Sequence, residues 1–262
     1  MVPAKSFIES HYQITFWVER ISKQKYYTYN SIPFMNCALD VIIMAIIKVN
    51  IGCGTTTVDG WINYDSSLGI FLCRHRFIKR LLFAFKLISK RSYETFWPSN
   101  IIRRDVRKGL PLPDESVDFI YCSHFLEHLS HEEAVRLISE CRRVLKRGGW
   151  IRLVCPDLRI LARQYLAGDL DFILFHATHK AELSQAFIDS LCLLDNRSIS
   201  EKLFSSGFSH VCMYDFNSIA KLLNNCGFRV IEKRHFREGM TPDIDKLDNR
   251  PDESLFVEAQ KL

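Results

Sequence analysis

Two glycines and two aspartates raise the first chemical question. The run VNIGCGTTTVDGWINYDSS, Val49 to Ser67, sets Gly52 and Gly54 directly after an apolar stretch and Asp65 at the end of the next one. Glycines at a strand end let the backbone approach a ligand without a β-carbon in the way. A carboxylate at the following strand end can accept hydrogen bonds from both vicinal hydroxyls of a ribose. Asp105 closes a third apolar run, IIRRDV, where it can accept from an exocyclic amine while the backbone at Val106 meets a ring nitrogen. Together these groups outline an adenosine-shaped site. The dinucleotide fingerprint is incomplete, because Thr57 stands where its third glycine belongs. Asp65 also lies only eleven residues past Gly54, where a full crossover helix would put the acid about 20 residues on. A nicotinamide dehydrogenase is disfavoured.

A second group is HFLEH. His124, Glu127 and His128 repeat the H-x-x-E-H spacing of some metal hydrolases. On an α-helix His124 and His128 would share a face. A zinc site needs a third protein ligand, and no partner motif accompanies the pair, so no metal is expected here. Asp157, His176, His179, His210, Tyr214 and Arg250 are further polar residues that could close a pocket.

These residues need a scaffold to position them. Strand patterns run at Ile46 to Ile51, WINYD, IIRRDV, VDFIYCS, WIRLVC, FRVIEK and SLFVEAQK. Ser130 to Glu133 is a capping box. The helix behind it should bury Ala134, Leu137, Ile138, Cys141 and Leu145 and end at Gly148. Asp215 caps a later helix that ends at Gly227. Strand and helix alternate, which calls for a doubly wound α/β sheet with ligands at the carboxyl ends of its strands. The last two strands lie too close together for a helical crossover and should pair antiparallel.

Composition narrows the rest. The chain has 262 residues, 47% hydrophobic and 25% charged, enough for one large globular domain. The net charge of +5 lacks the dense basic stripe of a nucleic-acid binder. The nine cysteines are odd in number and form no C-x-x-C, so they read as small buried hydrophobes in a reducing compartment. Charged residues interrupt any secretory apolar core near the start, and a cytoplasmic location is expected. Phe71 to Ser92 patterns as one amphipathic helix, with Phe77, Leu81, Leu82, Phe85 and Ile88 as its core stripe. It carries many cations and no acid, so it could also meet a membrane or another acidic surface. Residues 1–46 lack the pattern of the remainder and form an N-terminal extension of unassigned role, and Met44 would serve as an alternative start.

VNIGCG, INYD, RRDVRKGLPLPDESVDFIYCSHFLEHL and ECRRVLKRGGWIRLVCPDL, taken in order, resemble the motifs of the class I S-adenosylmethionine-dependent methyltransferases. The wording is nearest to a bacterial group of small predicted methyltransferases with a shortened first crossover. The resemblance implies a Rossmann-like sheet over residues 47–262, mostly parallel with an antiparallel last strand, and S-adenosyl-L-methionine as cofactor. Gly52 and Gly54 would then lie against the methionine moiety, Asp65 would hold the ribose, and Asp105 with Val106 the adenine. Many members carry an acid where this chain has Asn50. An amide there can still accept from the methionine amino group but adds no charge. His124 would face the cofactor and is the first choice as a catalytic base, with His210 second. Asp157 and Tyr214 fall where the family binds substrate. The implied reaction is O- or N-methylation of a small-molecule or glycan-type acceptor. The nucleic-acid amino-methylating class carries Asn or Asp, Pro-Pro and an aromatic after the fourth strand, where this chain has YCSHF. A non-catalytic cofactor-binding regulator and a metal-dependent hydrolase built on HFLEH are the alternatives.

Overall fold

The computed structural model describes residues 46–169 and 210–262. The expectations for the N-terminal extension before residue 46, and for His176 and His179, lie outside them.

The apolar runs pair into one seven-stranded sheet. Its strands are β1 (Lys48–Ile51), β2 (Trp61–Asp65), β3 (Ile101–Arg103), β4 (Val117–Ser123), β5 (Leu145–Pro156), β6 (Arg229–Arg234) and β7 (Ser254–Gln260), in the order β3-β2-β1-β4-β5-β7-β6. β1 to β5 pair parallel with one another. β7 runs antiparallel to both β5 and β6. Among the described residues the helices are α1 (Leu68–Arg74), α2 (Arg76–Ala84), α3 (Lys90–Glu94), α4 (His131–Val144), α5 (Leu158–Ala167), α6 (Phe216–Asn225) and α7 (Ile244–Leu247).

Side chains alternate across the pleat, and the two faces of the sheet differ. One face is apolar. Val49, Ile51, Ile120, Cys122, Ile151, Leu153, Leu255 and Val257 pack there with Leu137, Ile138 and Cys141 of α4 and Ile219, Leu222 and Leu223 of α6. The capping box on Ser130 and Glu133 starts α4, as its sequence predicts, and Asp215 caps α6. The expectation that Gly148 ends α4 is corrected. The helix stops at Val144 because Leu145 is already extended, buried and paired with Val117, and Gly148 turns within β5 at φ 80°.

The opposite face buries polar groups. Arg152 and Glu258 face each other across β5 and β7 and are fully buried, as is the side chain of Asp248. The Arg152 guanidinium donates to Asp248 Oδ2 at 2.6 Å and to the carbonyls of Glu238 and His235 at 2.9 and 3.1 Å. It also lies 3.3 Å from Glu258 Oε1. Glu258 in turn accepts from the amides of Met240 and Thr241. Asp243 adds an ion pair to Lys48 and accepts from the Trp61 indole. The segment after β6 is thus fastened over the sheet by charge as well as by the apolar packing of Phe236 and Leu247 against Tyr121, Val154 and Phe256.

The expected single helix over Phe71 to Ser92 is also corrected. It is three short helices, because His75 (φ −114°) and Lys86 (φ 56°) leave helical geometry. Of the five stripe residues only Ile88 is buried, and Phe77 and Phe85 are each 72% exposed. Lys79, on the opposite side of α2, turns inward to Cys73 Sγ and the Thr95 carbonyl.

Candidate functional site

The carboxyl ends of β1, β2 and β4 carry the residues singled out in the sequence. Residues 52–60 join β1 to its parallel neighbour β2 without a helix. The turn rests on Gly52, Gly54 and Gly60, all at positive φ. A β-carbon on Gly52 would stand 2.7 Å from the Phe125 ring, so packing also demands glycine there. A β-carbon on Gly54 would meet nothing within 4 Å, which leaves that side of the turn open for a ligand.

Asp65 ends β2 and is held in place. Its Oδ2 accepts from the Gly54 amide at 2.9 Å and its Oδ1 from the Ser67 amide at 2.7 Å. Each carboxylate oxygen keeps further acceptor capacity, so the group is aimed without being saturated. Asn50 is 1% exposed, and its amide nitrogen donates to the Thr56 carbonyl and to Asn63. Its Oδ1 is buried without a hydrogen-bond partner among the described residues. A buried acceptor left this way is costly unless a donor arrives, and the ammonium of a methionine moiety is such a donor. Asp105 is engaged differently. It caps the single 3-10 turn Val106–Lys108, and Arg107 grips both of its oxygens at 2.8 and 2.9 Å. Those hydrogen bonds hold its carboxyl below the usual range.

The HFLEH segment is not an α-helix. His124 has φ 49°, and Leu126–His128 is a 3-10 turn, so His124 and His128 do not share a helical face. A positive φ on a residue other than glycine is strained and clusters at functional sites. His124 Nε2 is 2.9 Å from the Ser254 hydroxyl. Its Nδ1 is 3.3 Å from Glu127 Oε1 and 3.4 Å from an Arg250 nitrogen. Arg250 already pairs with Glu253, whereas the buried Glu127 carboxylate needs a donor, so the Nδ1–H tautomer is favoured and Nε2 is left as the acceptor. Burial alone would raise the Glu127 carboxyl, but His124 and His128 outweigh it and the net effect is a lowering.

His210 comes from a distant part of the sequence. The amides of Val211 and Cys212 donate to the Glu127 carbonyl at 2.7 and 3.1 Å, which sets the His210 ring 5.2 Å from that of His128. Burial pushes the His210 imidazole down to about 4. Tyr214 OH is buried and without a hydrogen-bond partner among the described residues, and burial pushes the phenol up. Asp157 forms an isolated bridge with Tyr214, caps α5 and lies 3.4 Å from Lys233. Burial likewise holds the thiols of Cys53, Cys122, Cys141 and Cys155 protonated, which suits packing and not nucleophilic attack. Ser254 and the orienting role of Glu127 escaped the sequence reading. Ser254 reaches His124 only because β7 aligns it with Pro156 of β5, and nothing local marks it.

Residues 49–153 match the family model of a methyltransferase domain. Over that stretch the chain is similar to a methyltransferase domain. The match spans the glycine turn, Asp65, Asp105 and the HFLEH segment, and the sheet order and antiparallel β7 agree with it. No curated protein matches the chain. Among solved structures it is similar to an S-adenosylmethionine-dependent methyltransferase from Archaeoglobus fulgidus, at 17% identity over 83% of this chain and 87% of that one, with a TM-score of 0.45. A second, from Mesorhizobium loti, has 19% identity over 83% and 91%, with a TM-score of 0.42. A third, from Methanosarcina mazei, has 18% identity over 86% and 98%, again at 0.42. At these values the likenesses carry no further argument. The open Gly54, the aimed Asp65 and the Asn50 Oδ1, unpartnered among the described residues, fit S-adenosylmethionine as the cofactor of such a domain. Asp65→Ala should weaken cofactor binding by about 1.5–3 kcal/mol. Fluorescence titration with S-adenosylhomocysteine checks this, and unchanged affinity would remove Asp65 from the site.

Proposed function

We propose that this methyltransferase methylates a hydroxyl or amine of a small-molecule or glycan-type acceptor, with His124 receiving the acceptor's proton. The observation that carries the reading is the His124 imidazole, set at a strained backbone position after β4 between a carboxylate and a hydroxyl. When bound, the cofactor supplies a sulfonium methyl that is already strongly electrophilic. The chain's own work is then to position and to move one proton. Asn50 Oδ1, the glycine turn at Gly52 and Gly54, Asp65, and Asp105 with the backbone at Val106 hold the methionine, ribose and adenine moieties. Glu127 fixes the His124 tautomer, and Nε2 beside Ser254 accepts the proton. Tyr214 presents its unpartnered hydroxyl for the acceptor, while Asp157 holds the Tyr214 segment in place. Transfer of labelled methyl from S-adenosylmethionine to a panel of sugar nucleotides, phenols and amines tests the reading. Product with a hydroxyl or amine acceptor supports it. Cofactor binding with no transfer to any class would favour a regulator instead.

The same proposal includes an anionic membrane surface as partner of α2. Phe77, Leu81 and Phe85, at i, i+4 and i+8, share one face, and that face is exposed. Arg74, Arg76, Arg80, Lys86, Lys90 and Arg91 flank it, and no acid occurs between Phe71 and Tyr93. Exposed aromatics rimmed by cations suit the headgroup boundary of an acidic bilayer. Among the described residues no helix is long and apolar enough to cross one. The protein is expected to co-sediment with vesicles of equal parts phosphatidylglycerol and phosphatidylcholine, far less with phosphatidylcholine alone, and to lose binding in the Phe77→Glu, Phe85→Glu double variant. Equal sedimentation of wild type and variant would contradict it.

A further inference from the structure

We infer that Glu127, His128 and His210 form a binding site for one zinc ion. H-x-x-E-H lacked a third ligand in the sequence. The fold supplies one from 82 positions beyond His128, and it selects Glu127 rather than His124 as the companion. One ligand atom from each of the three lies within 4.8 Å of the others. Tetrahedral zinc with bonds of about 2.0–2.1 Å keeps its ligands roughly 3.4 Å apart. Zinc binding would require side-chain adjustment to close that difference.

An independent observation points the same way. Glu127 is 1% exposed, yet neither of its carboxylate oxygens has a hydrogen-bond partner among the described residues, and His210 Nδ1 is equally buried and unpartnered. Among the described residues His124 Nδ1, 3.3 Å from Oε1, comes within ion-pair reach of the carboxylate. A charge taken out of water normally recovers its solvation through pairing or a metal. Two imidazoles and one carboxylate are a donor set that zinc sites use with a fourth position left to water. The His124 contact becomes the outer-shell hydrogen bond that commonly fixes a ligating carboxylate.

The main chain is built for such a clip. The Glu127 carbonyl accepts from Val211 and Cys212, and the Tyr214 carbonyl accepts from Leu158. The residues that follow His210 are thereby laced to the ends of β4 and β5. An ion shared by Glu127, His128 and His210 would fasten the segment that begins at His210 to the turn after β4. The site is distinct from the groups assigned to the cofactor, and the proposal stands or falls independently of the acceptor.

The test is elemental analysis of the purified full-length protein, followed by chelator dialysis and reloading with zinc or cobalt. One equivalent of zinc is expected, lost in His210→Ala and in Glu127→Gln and kept in Cys212→Ala. Zinc removal should lower the thermal midpoint by several degrees, and reloading should restore it. Should the variants fold poorly, the cobalt-substituted wild type still decides the matter. Visible bands of a tetrahedral nitrogen and oxygen site are expected. A thiolate charge-transfer band, full zinc retention in His210→Ala, or a wild type that takes up neither metal would each overturn the assignment.

Discussion

His124→Asn is expected to lower single-turnover methyl transfer by roughly 10²–10⁴-fold while cofactor affinity stays near the wild-type value. The size of the effect follows from geometry. His124 Nε2 is 2.9 Å from Ser254 Oγ and its Nδ1 faces the Glu127 carboxylate, so the ring is held in one orientation and one tautomer. Asparagine also tolerates the left-handed backbone at φ 49°, so the variant removes proton transfer with little added strain. His210→Asn should act differently. If it closes a metal clip it should cost stability first, and transfer in the surviving folded protein should fall far less than in His124→Asn. Wild-type turnover in His124→Asn would point to an acceptor that needs no base. A parallel loss of cofactor affinity would make His124 a packing residue.

Asp248→Ala should be the most destabilising single change described here. The Asp248 side chain is fully buried and takes two hydrogen bonds from Arg152 and one from Tyr121. Removing it leaves the guanidinium of Arg152, itself fully buried, with only Glu258 as a charged partner. Breaking one side of a buried pair costs about 3–5 kcal/mol, which for a domain of this size lowers Tm by roughly 6–20 °C. The double replacement Arg152→Met, Asp248→Leu should recover much of that loss, because the ion pair repays its desolvation poorly. Chemical denaturation of the three variants measures both effects. A single variant within about 1 kcal/mol of wild type would show that water reaches the network.

The division between what was legible in the chain and what was not follows the range of the interactions. The strand runs, the capping box at Ser130 and the antiparallel pairing of the last two strands rest on local pattern and connection length, and the structure agrees with them. So does the tight first crossover, because TTTVDG leaves no room for a helix. The stripe at Phe77, Leu81 and Phe85 misled, since helical periodicity reports a face and not which way that face points. His75 and Lys86 broke the helix with no proline or glycine to announce it. The clustering of Gly52, Gly54 and Asp65 was readable because one turn fixes them relative to each other. Asp105 was placed correctly after β3 but its carboxylate proved to be gripped by Arg107, two residues away. The approach of Ser254 to His124, and of His210 to Glu127, depends on β7 register and on the Val211 and Cys212 amides meeting the Glu127 carbonyl. No spacing rule encodes contacts of that range.

Isothermal titration of the purified full-length protein with S-adenosylhomocysteine is the most direct test of the account's centre, which is the cofactor site at the ends of β1, β2 and β3. One binding site per chain is expected, with heat released and affinity reduced at least tenfold in Asp65→Ala, the lower end of the loss given above. A folded wild type that gives no heat with S-adenosylhomocysteine or with S-adenosylmethionine would contradict it.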